Sequence, residues 1–255
     1  MAQRVSIVTG AASGIGRATA LALAAQGDQV LAADLDGDGA ARVAEEIAAA
    51  GGSAAGRAVD VADSDDCARA VADAAALGQL GALVHVAGMA VADDTVEQLS
   101  DAALERLLAV NVGSVFRLSR HAIPLLRAAG GGVIVTTSSV HAYASMPANA
   151  AYAASKGALV ALTRQMALDL APDGIRVVGV APGSVDTPMT RAALERMGTS
   201  AEEAGFDASG SATAIGRVAR PQETAAVLAW LTTPAASVVN GTTIAADAGL
   251  LARLV

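Results

Sequence analysis

The chain has 255 residues, of which 53% are hydrophobic and only 2% aromatic, so it is long enough for one sizeable α/β domain with a core. Its formal net charge of −8 at pH 7, with scattered Lys and Arg, excludes the basic surface that a nucleic-acid partner requires. No apolar run approaches the roughly 18 residues needed to cross a bilayer, so we expect no membrane partner.

Apolar runs alternate with helical patterns along the whole chain. The predicted strands are residues 4–9, 29–33, 54–59, 82–86, 132–138, 175–180 and 242–246. The predicted helices are residues 15–26, 39–50, 64–77, 101–127, 150–171 and 221–231. This alternation predicts an α/β fold with a single-domain, doubly wound parallel sheet of about seven strands and helices on both faces.

The first strand begins almost at the N-terminus, which leaves no room for a secretory signal. Cys67 is the only cysteine and lies in a predicted amphipathic helix. No internal disulfide is therefore possible, and we expect this thiol to pack rather than react. These features together predict a cytoplasmic protein, and we expect no metal site.

A glycine-rich turn, Gly10-Ala-Ala-Ser-Gly14-Ile-Gly16, joins the first strand to the first helix. Glycines let the backbone approach a pyrophosphate, and a helix N-terminus offers free N–H groups and a positive dipole end. We therefore interpret this turn, with Ser13 and Ile15, as a dinucleotide-binding element. The alternative is a plain glycine-rich strand-to-helix turn without a ligand.

Two acidic positions follow later strands. Asp34 ends the second strand, where a carboxylate can accept hydrogen bonds from ribose hydroxyls and would repel a 2′-phosphate. Neither Leu35 nor Ser13 is basic, so the sequence predicts NAD rather than NADP. Asp60, with Val61, is a candidate adenine contact. The alternative for each aspartate is a helix cap or turn residue.

A candidate catalytic group lies on the fifth strand and the following helix. Tyr152 and Lys156 are four residues apart, so on a helix they share one face, and a nearby cation is expected to lower the pKa of the phenol. Such a tyrosine can exchange a proton with an alcohol or ketone. Ser139, at a strand end, can hydrogen-bond the reacting oxygen. Each could instead be an ordinary loop or helix residue.

Asn111 lies inside a long apolar-periodic helix, where asparagine is a poor helix former because its side chain competes for backbone bonds. One interpretation is a tolerated, exposed residue. The other is a residue that bends the helix and holds a water near the catalytic group.

This ordered set of motifs resembles the short-chain dehydrogenase/reductase family in its common form, nearly from end to end. The residues that carry the resemblance are Gly10, Gly14, Gly16, Asp34, Asp60, Ala87-Gly88, Asn111, Ser139, Tyr152-x-x-x-Lys156 and Pro182-Gly183-x-Val185-x-Thr187. The resemblance implies a Rossmann-type fold, a homotetramer or dimer, and an NAD-dependent oxidoreductase that interconverts a secondary alcohol and its ketone.

The resemblance also implies a role for each member of a catalytic tetrad. Tyr152 would be the general acid/base, and Ser139 would orient the substrate oxygen. Lys156 would lower the tyrosine pKa and bind the nicotinamide ribose, while Asn111 would hold a water in a proton relay. The segment Pro182, Gly183, Val185 and Thr187 would flank the nicotinamide, with Thr187 near its carboxamide.

The sequence departs from the family pattern after the fourth strand. The family usually has Asn-Asn-Ala-Gly there, whereas this chain has His85-Val86-Ala87-Gly88. The missing asparagines weaken the hydrogen bonding that supports the central sheet. His85 is a candidate substitute donor, although a lone strand histidine is more often a core residue.

The substrate site is predicted at the segment after Ser139, just before Tyr152, and under an irregular lid at about 187–215. The candidate substrate residues are Ser139, His141, Tyr143, Met146, Asn149, Tyr152 and Met189. Sugars, cyclic alcohols, hydroxy acids and steroid-like compounds all remain open. Two other functions also remain open: an NADPH-dependent ketone or 3-oxoacyl reductase, which Asp34 opposes, and a non-catalytic dinucleotide-binding protein.

Overall fold

The computed structural model describes residues 3–91, 94–196, 198 and 213–252. Seven parallel strands form one sheet in the order β3-β2-β1-β4-β5-β6-β7. The strands are β1 (Arg4–Thr9), β2 (Gln29–Asp34), β3 (Ser53–Ala58), β4 (Gln79–His85), β5 (Gly132–Thr137), β6 (Ile175–Pro182) and β7 (Thr243–Ala246). The predicted doubly wound Rossmann-type sheet is therefore confirmed.

Helices cover both faces of this sheet. They are α1 (Gly14–Ala25), α2 (Gly37–Ala49), α3 (Ser64–Leu77), α4 (Asp101–Leu108), α5 (Ser114–Ala128), α6 (Ala150–Leu170), α7 (Pro188–Arg196) and α8 (Pro221–Leu231). One core cluster holds residues of α3, α5 and α6, and a second holds residues of α1, α2 and α8. Because both faces are covered, the central strands β1 and β4 are buried along most of their length.

The strand order reverses between β1 and β4. Ile7 of β1 pairs with Leu31 of β2 on one side and with Leu83 of β4 on the other. The chain therefore crosses to opposite sides after β1 and after β3, which leaves a crevice at the carboxyl ends of β1 and β4. Ligands of open α/β sheets bind at such a switch point.

Two predicted segments differ from the structure. The single helix predicted over 101–127 is interrupted by a π-helical turn, Ala109–Gly113, between α4 and α5. The segment expected to be irregular from residue 187 begins with a regular helix, α7, whose first residue is Pro188. Proline is favourable at this position because the N–H it lacks would have no intrahelical partner.

The prediction of one domain over residues 1–255 with a lid at about 187–215 stays a prediction. Residues 197 and 199–212 of the proposed lid lie outside the described residues. No helix in the described ranges is both long enough and apolar enough to cross a membrane.

Cys67 lies in the core of the α3 side, and its side chain is fully buried. Burial raises the pKa of its thiol to about 11, because the thiolate is disfavoured in apolar surroundings. The structure thus confirms that this cysteine packs rather than reacts.

Candidate functional site

A cleft of about 510 Å³ opens at the switch point, over the carboxyl ends of the central strands. Every residue predicted from the sequence to contact the cofactor lines it. These residues are Gly10, Ser13, Gly14, Ile15, Gly16, Asp34, Leu35, Asp60, Val61, Ala87, Gly88, Tyr152, Lys156, Pro182, Gly183, Val185 and Thr187. Ser139 and Met189 line the same cleft, so the glycine turn and the candidate catalytic residues share one site.

The glycine turn requires its glycines on steric grounds. Gly10 and Gly14 have φ of 67° and 51°, which is left-handed backbone that favours glycine. A Cβ at Gly16 would overlap the carbonyl oxygen of Gly10. Ser13 is the N-cap of α1, but its side chain makes no hydrogen bond to the first turn. This helix end can therefore donate its N–H groups to an anionic ligand.

The Asp34 carboxylate is held at the edge of the glycine turn. One of its oxygens accepts a hydrogen bond from the Ala12 N–H at 2.8 Å, and the other accepts from the Asp36 N–H at 3.0 Å. These two bonds fix the plane of the carboxylate, which also lines the cleft. Each oxygen keeps lone-pair capacity for a further donor.

Arg106 is a cleft residue that the sequence analysis did not identify. It extends from α4, and its Nη2 lies 3.2 Å from Oδ1 and 3.1 Å from Oδ2 of Asp60. The Asp60 side chain also accepts the Ala62 N–H at 2.9 Å, which makes it a turn residue as well as a cleft residue. An arginine on an amphipathic helix has the pattern of any solvated residue, so the sequence contained no separate signal for it.

Ser139, Tyr152 and Lys156 converge at the other end of the cleft. The Lys156 Nζ lies 5.5 Å from the centroid of the Tyr152 ring and donates to the Thr137 carbonyl oxygen at 2.9 Å. The Ser138 hydroxyl donates to the Lys156 carbonyl oxygen at 2.7 Å. This bond joins the residue that follows β5 to the residue of α6 that carries the candidate catalytic amine. Ser139 Oγ accepts the His141 N–H at 3.3 Å.

Burial dominates the electrostatics of this group. It raises the pKa of Tyr152, and the hydrogen bond from Ser139 opposes that rise. It also lowers the pKa of Lys156 to about 8, because the ammonium is taken out of water. The sequence-based expectation of a lowered tyrosine pKa is therefore wrong, because desolvation by burial outweighs the opposing contribution of Ser139.

Asn111 lies in the π-helical turn, and its side chain is only 2% exposed. Its Oδ1 accepts the Met89 N–H at 2.8 Å, and its Nδ2 donates to the Met89 carbonyl oxygen and to Ser155 Oγ, each at 3.0 Å. The interpretation as a tolerated exposed residue is thus wrong. A π-helical turn inside a helix often marks a functional site.

The departure at His85-Val86 is accommodated without the usual asparagines. The Thr9 hydroxyl accepts the N–H groups of Val86 and Ala87, each at 3.1 Å, and so ties the end of β1 to the chain leaving β4. His85 is buried; its Nε2 lies 3.4 Å from Ser119 Oγ, and its Nδ1 has no partner in the described part of the chain. Burial lowers its pKa to about 3.

The predicted substrate residues fall into two groups. Ser139, Tyr152 and Met189 line the cleft, whereas His141, Tyr143, Met146 and Asn149 are outside its lining. His141 nevertheless packs edge-on against the Tyr152 ring, with centroids 5.5 Å apart, and its Nδ1 lies 3.1 Å from Ser145 Oγ. Met89 also lines the cleft, and the sequence analysis missed it.

Comparisons with known proteins agree with this geometry. A family model described as enoyl-(acyl carrier protein) reductase matches residues 10–251. The cis-4-hydroxycyclohexanecarboxylate dehydrogenase of Sinomonas cyclohexanicum is 39% identical over 98% of each chain. The cyclohexanol dehydrogenase of Acinetobacter sp. strain SE19 is 35% identical over 96% of this chain and 93% of its own.

A solved structure extends the comparison to three dimensions. The crystal structure of a putative NAD(P)-dependent gluconate 5-dehydrogenase from Beutenbergia cavernae, with bound NADP at low occupancy, has a TM-score of 0.88 and 38% identity. It covers 99% of this chain, and this chain covers 98% of it. The fold is therefore shared over nearly the whole length of both chains.

Proposed function

The chain belongs to the short-chain dehydrogenase/reductase family of dinucleotide-dependent oxidoreductases, and on that premise we propose that it interconverts a secondary alcohol and its ketone with NAD(H). One observation carries the proposal. The Lys156 Nζ lies 5.5 Å from the Tyr152 ring centroid inside the cleft that the glycine turn also lines. A half-buried phenol beside a buried amine is an acid–base pair of little use to a protein that only binds a ligand.

The roles of the side chains follow from their positions. In the oxidation direction, Tyr152 accepts the hydroxyl proton of the alcohol, and Ser139 donates a hydrogen bond to the same substrate oxygen. Lys156, still largely protonated at neutral pH with its pKa of about 8, stabilises the phenolate that Tyr152 must form. A bound nicotinamide would accept the hydride from the carbinol carbon at its C4.

Several features of the cleft fit a dinucleotide. The uncapped first turn of α1 suits the pyrophosphate, and the fixed Asp34 carboxylate suits the adenosine ribose. Thr137 Oγ1 is buried at the cleft and has no partner within the described residues, so a polar group of a bound ligand would satisfy it. Asn111, whose Nδ2 donates to the Met89 carbonyl oxygen, would hold a water in a proton relay.

The cofactor preference rests on the charge at position 34. A 2′-phosphate beside the Asp34 carboxylate would bring two like charges together, so we propose NAD rather than NADP. The Beutenbergia cavernae protein, in contrast, holds NADP at low occupancy in its crystal structure. An NADPH-dependent ketone reductase is therefore the second candidate, and comparing the Michaelis constants for NADH and NADPH decides between them.

The substrate class is proposed from the relatives together with the lining of the cleft. Two relatives are named for six-membered ring alcohols, and Met89 and Met189 give the cleft an adaptable apolar lining. We therefore propose a cyclic secondary alcohol.

The apolar side chains of Phe116 on α5 and Leu168 on α6 are 54% and 73% exposed, which supports the homo-oligomer that the family resemblance implies.

The decisive experiment is a substrate panel followed by NADH or NADPH absorbance. The panel includes cyclohexanol, cis-4-hydroxycyclohexanecarboxylate, a steroid alcohol, gluconate, a linear hydroxy acid and a 3-oxoacyl thioester. We expect the highest kcat/KM for a ring alcohol with NAD. Turnover of the thioester alone, with NADPH, would establish the reductase instead. Cofactor binding without turnover of any compound would support the non-catalytic alternative.

A further inference from the structure

The helix that carries Tyr152 and Lys156 is held at its beginning by a residue from a distant loop. Asp94 lies between β4 and α4, and its side chain is 1% exposed. Its Oδ1 accepts the Ala151 N–H at 2.7 Å, and its Oδ2 accepts the Tyr152 N–H at 2.8 Å. Its carbonyl oxygen accepts the Ala150 N–H at 2.8 Å. One residue therefore satisfies the first three N–H groups of α6.

The cap residue of α6 does not perform this function. Asn149 is the N-cap, but its side chain donates to the Pro147 carbonyl oxygen instead of accepting from the helix. The preceding residue, Ala148, has a φ of 58°, a left-handed conformation that is strained for a non-glycine residue. Such strain persists only where the surrounding structure imposes it, and the contacts of Asp94 are adjacent to it.

The same loop is joined to α6 a second time, through Asn111. Met89 is bound by the Asn111 side chain, and Asn111 also donates to Ser155 Oγ, which in turn donates to the Tyr152 carbonyl oxygen at 2.7 Å. Ala87, Gly88 and Met89 line the cleft. The loop that lines the cleft is therefore fixed to α6 at both Met89 and Asp94, on either side of Tyr152.

On the basis of the proposed function, we propose that Asp94 is a positioning residue for the reaction. It fixes the beginning of α6, and with it the Tyr152 side chain, relative to the loop whose residues Ala87, Gly88 and Met89 line the cleft. Its buried carboxylate also faces the positive dipole end of this helix. Because Asp94 does not line the cleft, it acts on the substrate only through Tyr152.

The first test needs neither substrate nor cofactor. Hydrogen–deuterium exchange is measured on the wild type, Asp94→Ala and Asp63→Ala. Asp63 is the matched control, since its carboxylate caps α3 by accepting the Asp66 N–H at 2.8 Å. We expect exchange at the start of α6 to be at least tenfold faster in Asp94→Ala and unchanged in Asp63→Ala. Equal exchange rates at the start of α6 in Asp94→Ala and wild type would overturn the proposal.

The second test separates positioning from stability. The turnover rate is measured with the best alcohol of the panel and normalised to the number of NADH-binding sites titrated by fluorescence. We expect kcat per site to fall more than tenfold in Asp94→Ala, with an NADH Kd within twofold of wild type. Asp63→Ala should keep kcat per site within twofold. A loss confined to the number of binding sites, with kcat per site retained, would mean a purely structural role and contradict the proposal.

A conservative variant covers the possibility that Asp94→Ala does not fold. Asp94→Asn keeps the shape and one acceptor oxygen but turns an N–H₂ group towards a backbone N–H. We expect its exchange rate and kcat per site to lie between those of wild type and Asp94→Ala, or clearly below wild type if only this variant folds. Wild-type values for both would refute the role of the carboxylate.

Inactivity of the wild-type enzyme on every alcohol would count against the proposed function, while the exchange result would still decide whether Asp94 anchors α6.

Discussion

The two ends of the cleft hold their polar groups in different ways. At the glycine-turn end (residues 10–16, Asp34 and Asp60), backbone N–H groups and partly exposed charges line the cleft; the Asp60 side chain is 31% exposed and its partner Arg106 44%. At the tyrosine end (Ser139, Tyr152 and Lys156), the catalytic candidates are largely withdrawn from water, and Lys156 is 4% exposed.

This difference assigns different tasks to the two ends. Backbone donors and screened charges change little when a ligand binds, so the glycine-turn end is suited to affinity and cofactor choice. Burial at the tyrosine end shifts the pKa of Tyr152 upwards and that of Lys156 downwards, so it favours the neutral phenol and the neutral amine over their charged forms. A changed side chain should therefore alter cofactor constants at the first end and turnover at the second.

The largest effect is expected from Tyr152→Phe, which removes the acid–base group but keeps the ring. We expect kcat to fall by roughly 10²- to 10⁴-fold, the usual contribution of a positioned acid or base, while the Kd for NADH stays near that of wild type. Steady-state assay and NADH fluorescence titration measure the two quantities. Tyr143→Phe is the control, because that ring is 52% exposed and lies outside the cleft. Retention of more than about a tenth of wild-type turnover by Tyr152→Phe would refute the acid–base role.

An intermediate effect is expected at the glycine-turn end. Asp34→Asn keeps one acceptor oxygen but removes the charge, so the KM for NAD should rise about tenfold to a hundredfold, in line with the roughly 1.5–3 kcal/mol of a hydrogen bond to a charged group. The KM for NADP should fall, since the repulsion of its phosphate is lost.

The matched control for this substitution is Asp38→Asn, which changes the net charge equally at an exposed position outside the cleft. Its ratio of the two Michaelis constants should equal that of wild type. The assignment of Asp34 fails if both variants shift the ratio alike, because a general change of surface charge would then explain it.

The smallest effect concerns His85, which is buried at the end of β4, is outside the cleft lining and contributes to stability rather than chemistry. Its folded-state pKa of about 3 is below the ordinary value of 6.5. Between these two pH values His85 is protonated in the unfolded chain but neutral in the native protein. Stability therefore falls as the pH drops below about 6.5. Between pH 7.5 and 5.5 the wild type should lose about 1 kcal/mol more than His85→Asn.

Urea denaturation at the two pH values measures this difference, with His121→Asn as a control at a histidine that is not buried. Equal losses in the wild type and His85→Asn would show that His85 does not remain neutral in the native protein.

The sequence predicted the parts of the site that depend on local spacing. The glycine turn, Asp34 and the Tyr152–Lys156 pair are each defined by residues close together in the chain, and the structure places all of them on the cleft. One of the two interpretations left open for Asn111, that it bends its helix, agrees with the π-helical turn in which it lies. The predicted direction of the shift in the Tyr152 pKa was wrong. Burial raises this pKa, and the degree of burial depends on elements that are distant in the chain.

Other residues had no local signal. Asp94 is 58 residues from Tyr152, and Arg106 is 46 residues from Asp60, so both contacts exist only because the folded chain brings these segments together. A lone aspartate in a loop and a lone arginine on a helix look the same in sequence whether they are solvated or bound.

The sequence by itself determined the alternation of strands and helices, the glycine turn and the candidate reactive groups, because these depend on backbone sterics, periodicity and side-chain chemistry within a few residues. Only the tertiary structure decided which groups are desolvated and which distant residue holds the start of the Tyr152 helix. Desolvation and long-range hydrogen bonds depend on the packing of segments that are far apart in the chain, and that packing is a property of the whole sheet and its helices.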